Sequence, residues 1–108
     1  MPSNTLQPLQ QDPQYSTESL VRGMDFSARL AQTSDTLTGM PTVTASVFSG
    51  TDPSPQSILA GSPSLSSNNM QILQRVSGGV PGTAYILSFR CGTAQGNVVK
   101  DQAWFWVV

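Results

Sequence analysis

The strongest constraint on this chain lies in its C-terminal third, where apolar residues recur with a period of two. Tyr85, Leu87, Phe89 and Cys91 share one side of an alternating run, the spacing of a half-buried strand rather than of a helix. The run opens after the turn cluster Gly78-Gly79-Val80-Pro81-Gly82-Thr83. It closes at Gly92-Thr93-Ala94-Gln95-Gly96-Asn97, a connection of hairpin length. A last strand, about Val98 to Val107, puts Ala103, Phe105 and Val107 on one face and Trp104, Trp106 and Val108 on the other. Both faces are apolar, so this strand is covered on two sides or lends one side to a partner.

The same period runs upstream. Met24, Phe26, Ala28 and Leu30 alternate with Asp25, Ser27 and Arg29, which predicts a strand, and Gln32-Thr33-Ser34-Asp35 turns the chain. Leu37 and then Val43, Ala45 and Val47 mark a second strand region, with Gly39 and Pro41 signalling a bulge or a break. Residues 49–69 read as loop, with a short strand near 56–60 and an apolar point at Leu65. Met70 to Val76 is another strand, Ile72 and Val76 sharing a parity with Gln74. Strands separated by Gly, Pro and Ser turns, without helical periodicity, make an all-β antiparallel sandwich.

The first 19 residues differ. Pro2, Pro8 and Pro13 rule out a continuous helix, and Leu6, Leu9 and Tyr15 are the only sizeable apolar anchors. The stretch reads as an extended N-terminal arm over 1–19, either a disordered tail or a segment ordered against a neighbouring subunit. The sandwich then occupies 20–108.

Composition narrows the function. Only 10% of the 108 residues are charged, against roughly 25% in an ordinary soluble domain. Ser, Thr, Gln and Gly fill the difference, which suits surfaces buried against neighbours, where unpaired charge is expensive to desolvate. The five basic residues are scattered and the net charge is −1, so direct nucleic-acid binding is not expected. No run is long enough for a membrane helix, and the start lacks the pattern of a signal peptide, so assembly in a host cytoplasm is expected.

Catalytic groups are equally scarce. The chain has no histidine and one cysteine, which leaves no internal disulfide, no usual zinc set and no base to activate a thiol. Cys91 reads as a small buried hydrophobe, with an intermolecular disulfide as the alternative. The six acids are dispersed without a calcium-loop spacing, and the Gly-rich stretches lack a phosphate-loop ending. No enzyme, cofactor or metal site is expected.

A more specific pattern runs through these residues. Met24-Asp25-Phe26-Ser27-Ala28-Arg29-Leu30, then Asp35-Thr36-Leu37 and Val43-Thr44, precede Ser77-Gly78-Gly79-Val80-Pro81-Gly82-Thr83-Ala84-Tyr85. Over roughly 24–107 this order resembles small Ig-like structural proteins of tailed-bacteriophage virions, of head-decoration, neck or collar type. Their pattern runs DWSxxL, DTI and sGGtaGttY. The resemblance implies an Ig-like β-sandwich with no catalytic residues. Pro81-Gly82-Thr83-Ala84-Tyr85 also resembles the tyrosine corner of Ig and fibronectin-type sandwiches, in which the hydroxyl bonds backbone a few residues upstream. The alternative is a core aromatic whose hydroxyl reaches water.

From that resemblance the expected role is a capsid-associated decoration or cement subunit of the virion, present in many symmetric copies. Its partners would be other virion proteins, the major capsid protein or the portal and neck proteins. The alternatives are a head–tail connector, neck or collar subunit and, in a different class, a host-surface adhesion module. Leu6, Leu9, Tyr15, Trp104 and Trp106 are the candidate partner contacts. Trp is enriched at interface hot spots, but a core position suits either tryptophan as well.

Overall fold

The computed structural model describes residues 8–108; Leu6 and the rest of 1–7 lie outside them. The strands are β1 (Leu9–Gln10), β2 (Ser19–Asp25), β3 (Leu37–Ser49), β4 (Leu59–Leu65), β5 (Gln71–Ser77), β6 (Ala84–Thr93) and β7 (Val98–Trp106). A short helix, α1 (Ser27–Ala31), follows β2, and a single 3-10 turn over Pro55–Ile58 precedes β4. Two sheets pack face to face, one ordered β1-β7-β6-β3 and the other β2-β5-β4. With β2 to β7 lettered B to G, the strand orders read B-E-D and G-F-C in a two-sheet β-sandwich. β1 is added in parallel beside the last strand.

The alternation in the C-terminal third is realised residue by residue. Tyr85, Leu87 and Phe89 on β6 and Ala103 and Phe105 on β7 are fully buried between the sheets, joined by Cys91 and by Val43 and Ala45 of β3. Met24, Ile72 and Val76 meet them from the other sheet. Truncating one of these phenylalanines to Ala costs about 3–5 kcal/mol.

Two expectations are corrected and a third is narrowed. The strand predicted over Met24–Leu30 ends at Asp25, and α1 begins at Ser27. Phe26 and Leu30 are four residues apart, so a helical turn buries both as well as an extended strand would; the Leu30 amide donates to the Phe26 carbonyl at 2.9 Å. The Asp25 carboxylate accepts the Ser27 amide at 2.8 Å and starts that turn. The strand expected near 56–60 is displaced, since Pro55–Ile58 is helical and β4 runs to Leu65. Of the bulge or break expected at Gly39 and Pro41, the first is found: β3 is continuous and shifts register between Thr38 and Thr42.

Within the stretch expected as an arm, residues 8–18 run along β7. Leu9 and Gln10 pair with Ala103 and Trp104, Gln14 bridges Val107, and the Ser16 amide donates to the Val108 carbonyl at 3.2 Å. Gln14 is 1% exposed. It fills the gap between the sheets with Arg22 of β2, whose guanidinium lies 3.7 Å from the centre of the Phe105 ring. Arg22 Nη2 and Nε donate to Gln14 Oε1 at 3.0 and 3.3 Å, and Nη1 donates to Gln11 Oε1 at 3.4 Å. Burial lowers the Arg22 pKa, while Asp12 and Glu18 pull the other way; an arginine keeps its charge throughout.

Gln14→Ala leaves two of those donors without an acceptor and is expected to lower the unfolding free energy by about 2–3 kcal/mol. Gln14→Leu combined with Arg22→Met removes charge and acceptor together and is expected to cost less than Gln14→Ala alone. Urea titrations of the three proteins check both statements.

Candidate functional site

The inward residues of β7 complete the core, so its outward residues are left to the surface. Trp104 and Trp106 both point outward, their rings 6.0 Å apart and edge to face at 78°. Phe48 reaches Trp104 from β3, with ring centres 5.1 Å apart. Ile86 of β6 stands directly opposite Trp104. Phe48 is 51% exposed and Trp106 37%. Such a strip on an otherwise polar face is a recognised mark of an interaction surface.

Of the predicted contacts, the fold brings Trp104 and Trp106 together. Tyr15 is 64% exposed and follows Gln14, whose amide donates to the Trp106 carbonyl at 3.0 Å. It therefore sits beside the end of the strip. Leu9 is exposed at the β1 edge, next to Ala103. Phe48 escaped the sequence reading. Its signal was parity: Val43, Ala45 and Val47 face inward, so Phe48 falls among the outward Thr42, Thr44 and Ser46.

The strip is framed by a pinned corner. The Tyr85 ring stacks on Phe105 at 6.0 Å. Its hydroxyl accepts the Val80 amide at 2.8 Å and donates to Asp52 Oδ2 at 2.6 Å. Two loops, after β3 and before β6, are thereby tied at the end of the sandwich where Phe48 and Trp106 lie. Gly79 sits against this ring with φ +104°, and a Cβ there would come within 2.8 Å of Val107 Cγ2. The bond from the Tyr85 hydroxyl and one from the Ser54 amide hold the Asp52 carboxyl below its ordinary pKa. Burial, and then Asp52, raise that of Tyr85.

At the opposite end Asp35 organises the β6–β7 hairpin. Its Oδ1 accepts the Thr36 and Gln95 amides at 2.9 and 3.1 Å. Burial alone would raise its pKa, but the bonds from Thr93, Thr36, Gln95 and Asn97 outweigh that and lower it. Nearby, Arg29, Leu30 and Val98 help line an open depression of about 560 Å³. A second, of about 460 Å³, lies between residues 10–12 and 20–23. Among the described residues no His, Cys, Asp and Glu side chains gather as a metal site. Cys91 is buried, its Sγ donating to the Thr38 carbonyl at 3.3 Å.

Among the described residues every buried side-chain nitrogen and oxygen has a hydrogen-bond partner, and one face of the four-stranded sheet carries exposed aromatic side chains, a build that suits a structural protein. Family comparison places the chain in the same class, among the virion proteins of tailed phages. Residues 14–106 match the family described as podophage GP4 fiber-tail adaptor protein gp77, and the chain belongs to it. No curated protein and no solved structure matches. The family makes this a tail-associated adaptor of the virion, in contact with other virion proteins. That supports the alternative, a head–tail connector or neck subunit, better than the expected capsid-decoration role, for which the match gives no support. No helix among the described residues is long and apolar enough to cross a membrane.

Asp35 and Asp52 have folded-state pKa values depressed below the ordinary 3.8. Their stabilisation is therefore present above that value and lost as pH falls through the folded values. Thermal melts are expected to give a level Tm from about pH 7 to 5 and a fall on further acidification. Asp35→Asn should lower the neutral-pH Tm and flatten the acid limb.

Proposed function

We propose that this protein joins a tail protein to a fibre protein, and that the strip of Phe48, Trp104 and Trp106 is a docking surface for one of them. The observation that carries the reading is the strip itself. The Trp104 ring touches both Phe48 and Trp106 on the outward face of a sheet whose inward face already has a complete core. The family description supports the choice of partners. Copies would be arranged about the tail axis, since the subunits of phage tails are symmetric and an adaptor repeats with them. Leu9 and Tyr15, exposed along the β1 edge, extend the contact sideways.

In this reading Tyr85 acts as a tyrosine corner. It holds the loops at 50–54 and 78–83 in place and so keeps the edges of the docking surface rigid before binding, which lowers the ordering cost of association.

Purified particles assembled without the subunit, given back the protein, provide the test. Trp104→Ser with Trp106→Ser is expected to weaken incorporation by at least about thirtyfold, with Tm little changed because neither side chain is in the core. Full incorporation of that variant would sink the docking role. Tyr85→Phe is expected to behave differently: it loses the bonds to Asp52 and Val80 and about 2 kcal/mol of stability. Once folded at low temperature, it should still be incorporated. Differential scanning calorimetry alongside the incorporation assay distinguishes the two effects.

A further inference from the structure

The outward face of the four-stranded sheet changes character along its length. Toward one end lie Phe48, Trp104 and Trp106. Toward the other, Arg90 of β6 and Lys100 of β7 stand directly opposite each other, both exposed. Like charges at opposed strand positions destabilise a sheet. Nothing on this face relieves them. The outward positions of β3, β6 and β7 from Thr42 to Trp106 hold Thr, Ser, Gln and apolar residues, and no Asp or Glu. A third cation, Arg29 of α1, donates to the Lys100 carbonyl at 2.6 Å from the sheet edge. Asp25 accepts the Ser27 amide, Asp35 holds the hairpin and Asp52 binds Tyr85, while Asp101, next to Lys100 in the chain, belongs to the inward parity of β7 and accepts the Gln102 amide at 2.8 Å.

A cation pair kept at a cost to the free protein, on the same face as an aromatic strip, has its compensation outside the chain. We infer that the partner surface seated on this face is a protein surface that is apolar opposite the tryptophans and acidic opposite Arg90 and Lys100. The inference rests on the docking role proposed for the strip and adds the chemistry of what docks. A second copy of this chain is a poor occupant, because the same face brings two more cations and no carboxylate. Nucleic acid is poorer still, since so few cations release too few counterions to hold it.

Arg90→Glu tests this with two readouts of opposite sign. The substitution converts the like-charged pair into an opposite-charged one, so the Tm of the isolated protein should hold or rise. Binding to particles assembled without the subunit should nevertheless fall about tenfold at low salt, with the gap to the native protein closing as salt is added. Arg75→Glu makes the same charge change on the outward face of the other sheet and should bind normally. If Arg90→Glu binds normally while the double tryptophan variant does not, the partner is not acidic and the docking surface stands. If neither weakens binding, the docking surface itself is wrong. Equal losses from Arg90→Glu and Arg75→Glu would reduce the effect to net charge and overturn the inference. So would normal incorporation of Arg90→Glu with lost adsorption to host cells, which would put the acidic ligand on the host.

Discussion

A full positive charge sits at the open side of this sandwich, and the elements around it are arranged to hold it there. Arg22 projects from β2 into the space between the sheets and is 7% exposed. A guanidinium removed from water needs both charge stabilisation and acceptors for its fork of donors. The Phe105 ring supplies the first from β7, as a cation–π contact at 3.7 Å. Gln11 and Gln14 supply the second from the segment that precedes β2. One side chain therefore ties three parts of the molecule together: both sheets and residues 8–18. The segment cannot leave β7 without stranding the charge, and its presence also covers the edge that β7 would otherwise expose.

The choice of glutamine as the acceptor is part of a wider pattern. An amide side chain donates and accepts while carrying no charge, so it can close a backbone edge without adding desolvation cost. Gln11 donates to the Gly23 carbonyl on the edge of β2, and Gln56 accepts the Ala45 amide on the edge of β3. Gln74, 1% exposed between Ile72 and Val76, donates to the Gly61 and Arg75 carbonyls where β4 shifts register. Gln95 does the same for the Thr33 carbonyl. The low charge and abundant amides of the composition are thus spent on sealing strand edges. A subunit built this way packs into an assembly with few ions to bury and with parts of its strand edges already bonded.

What was readable from sequence follows the same physics. β6 and β7 were readable because both lie over a complete core, and their alternation reports burial directly. The helix at Ser27–Ala31 was not, because Phe26, Ala28 and Leu30 satisfy a strand period while Phe26 and Leu30 also satisfy a helical one. Over so short a run nothing local decides between them. Gln74 was visible as a polar residue at a core parity, but its reason, the bulge at Gly61, sits on another strand. Trp104 and Trp106 were readable as a second apolar face of the last strand, either covered or lent to a partner. Phe48, and the opposition of Arg90 to Lys100, depend on the register between strands, and no single segment carries that information.

The two faces of β7 join these observations. Trp104 and Trp106 alternate with Ala103 and Phe105, so each of these outward side chains is one peptide unit from a fully buried one. Phe105 is in turn stacked on Tyr85 and covered by Arg22. If the tryptophans dock as proposed, a pull on them would pass by Arg22 into β2 and by Tyr85 into the loops at 50–54 and 78–83. The backbone ladder between β6 and β7 is continuous from Ala84–Trp106 to Gly92–Val98, so the strand cannot shift register without flipping the core residues outward. A joint that transmits load needs its contact residues fixed to something that does not rearrange. On the docking role proposed for Trp104 and Trp106, the strand that presents the contact is the one whose inward face is held by Tyr85 and Arg22.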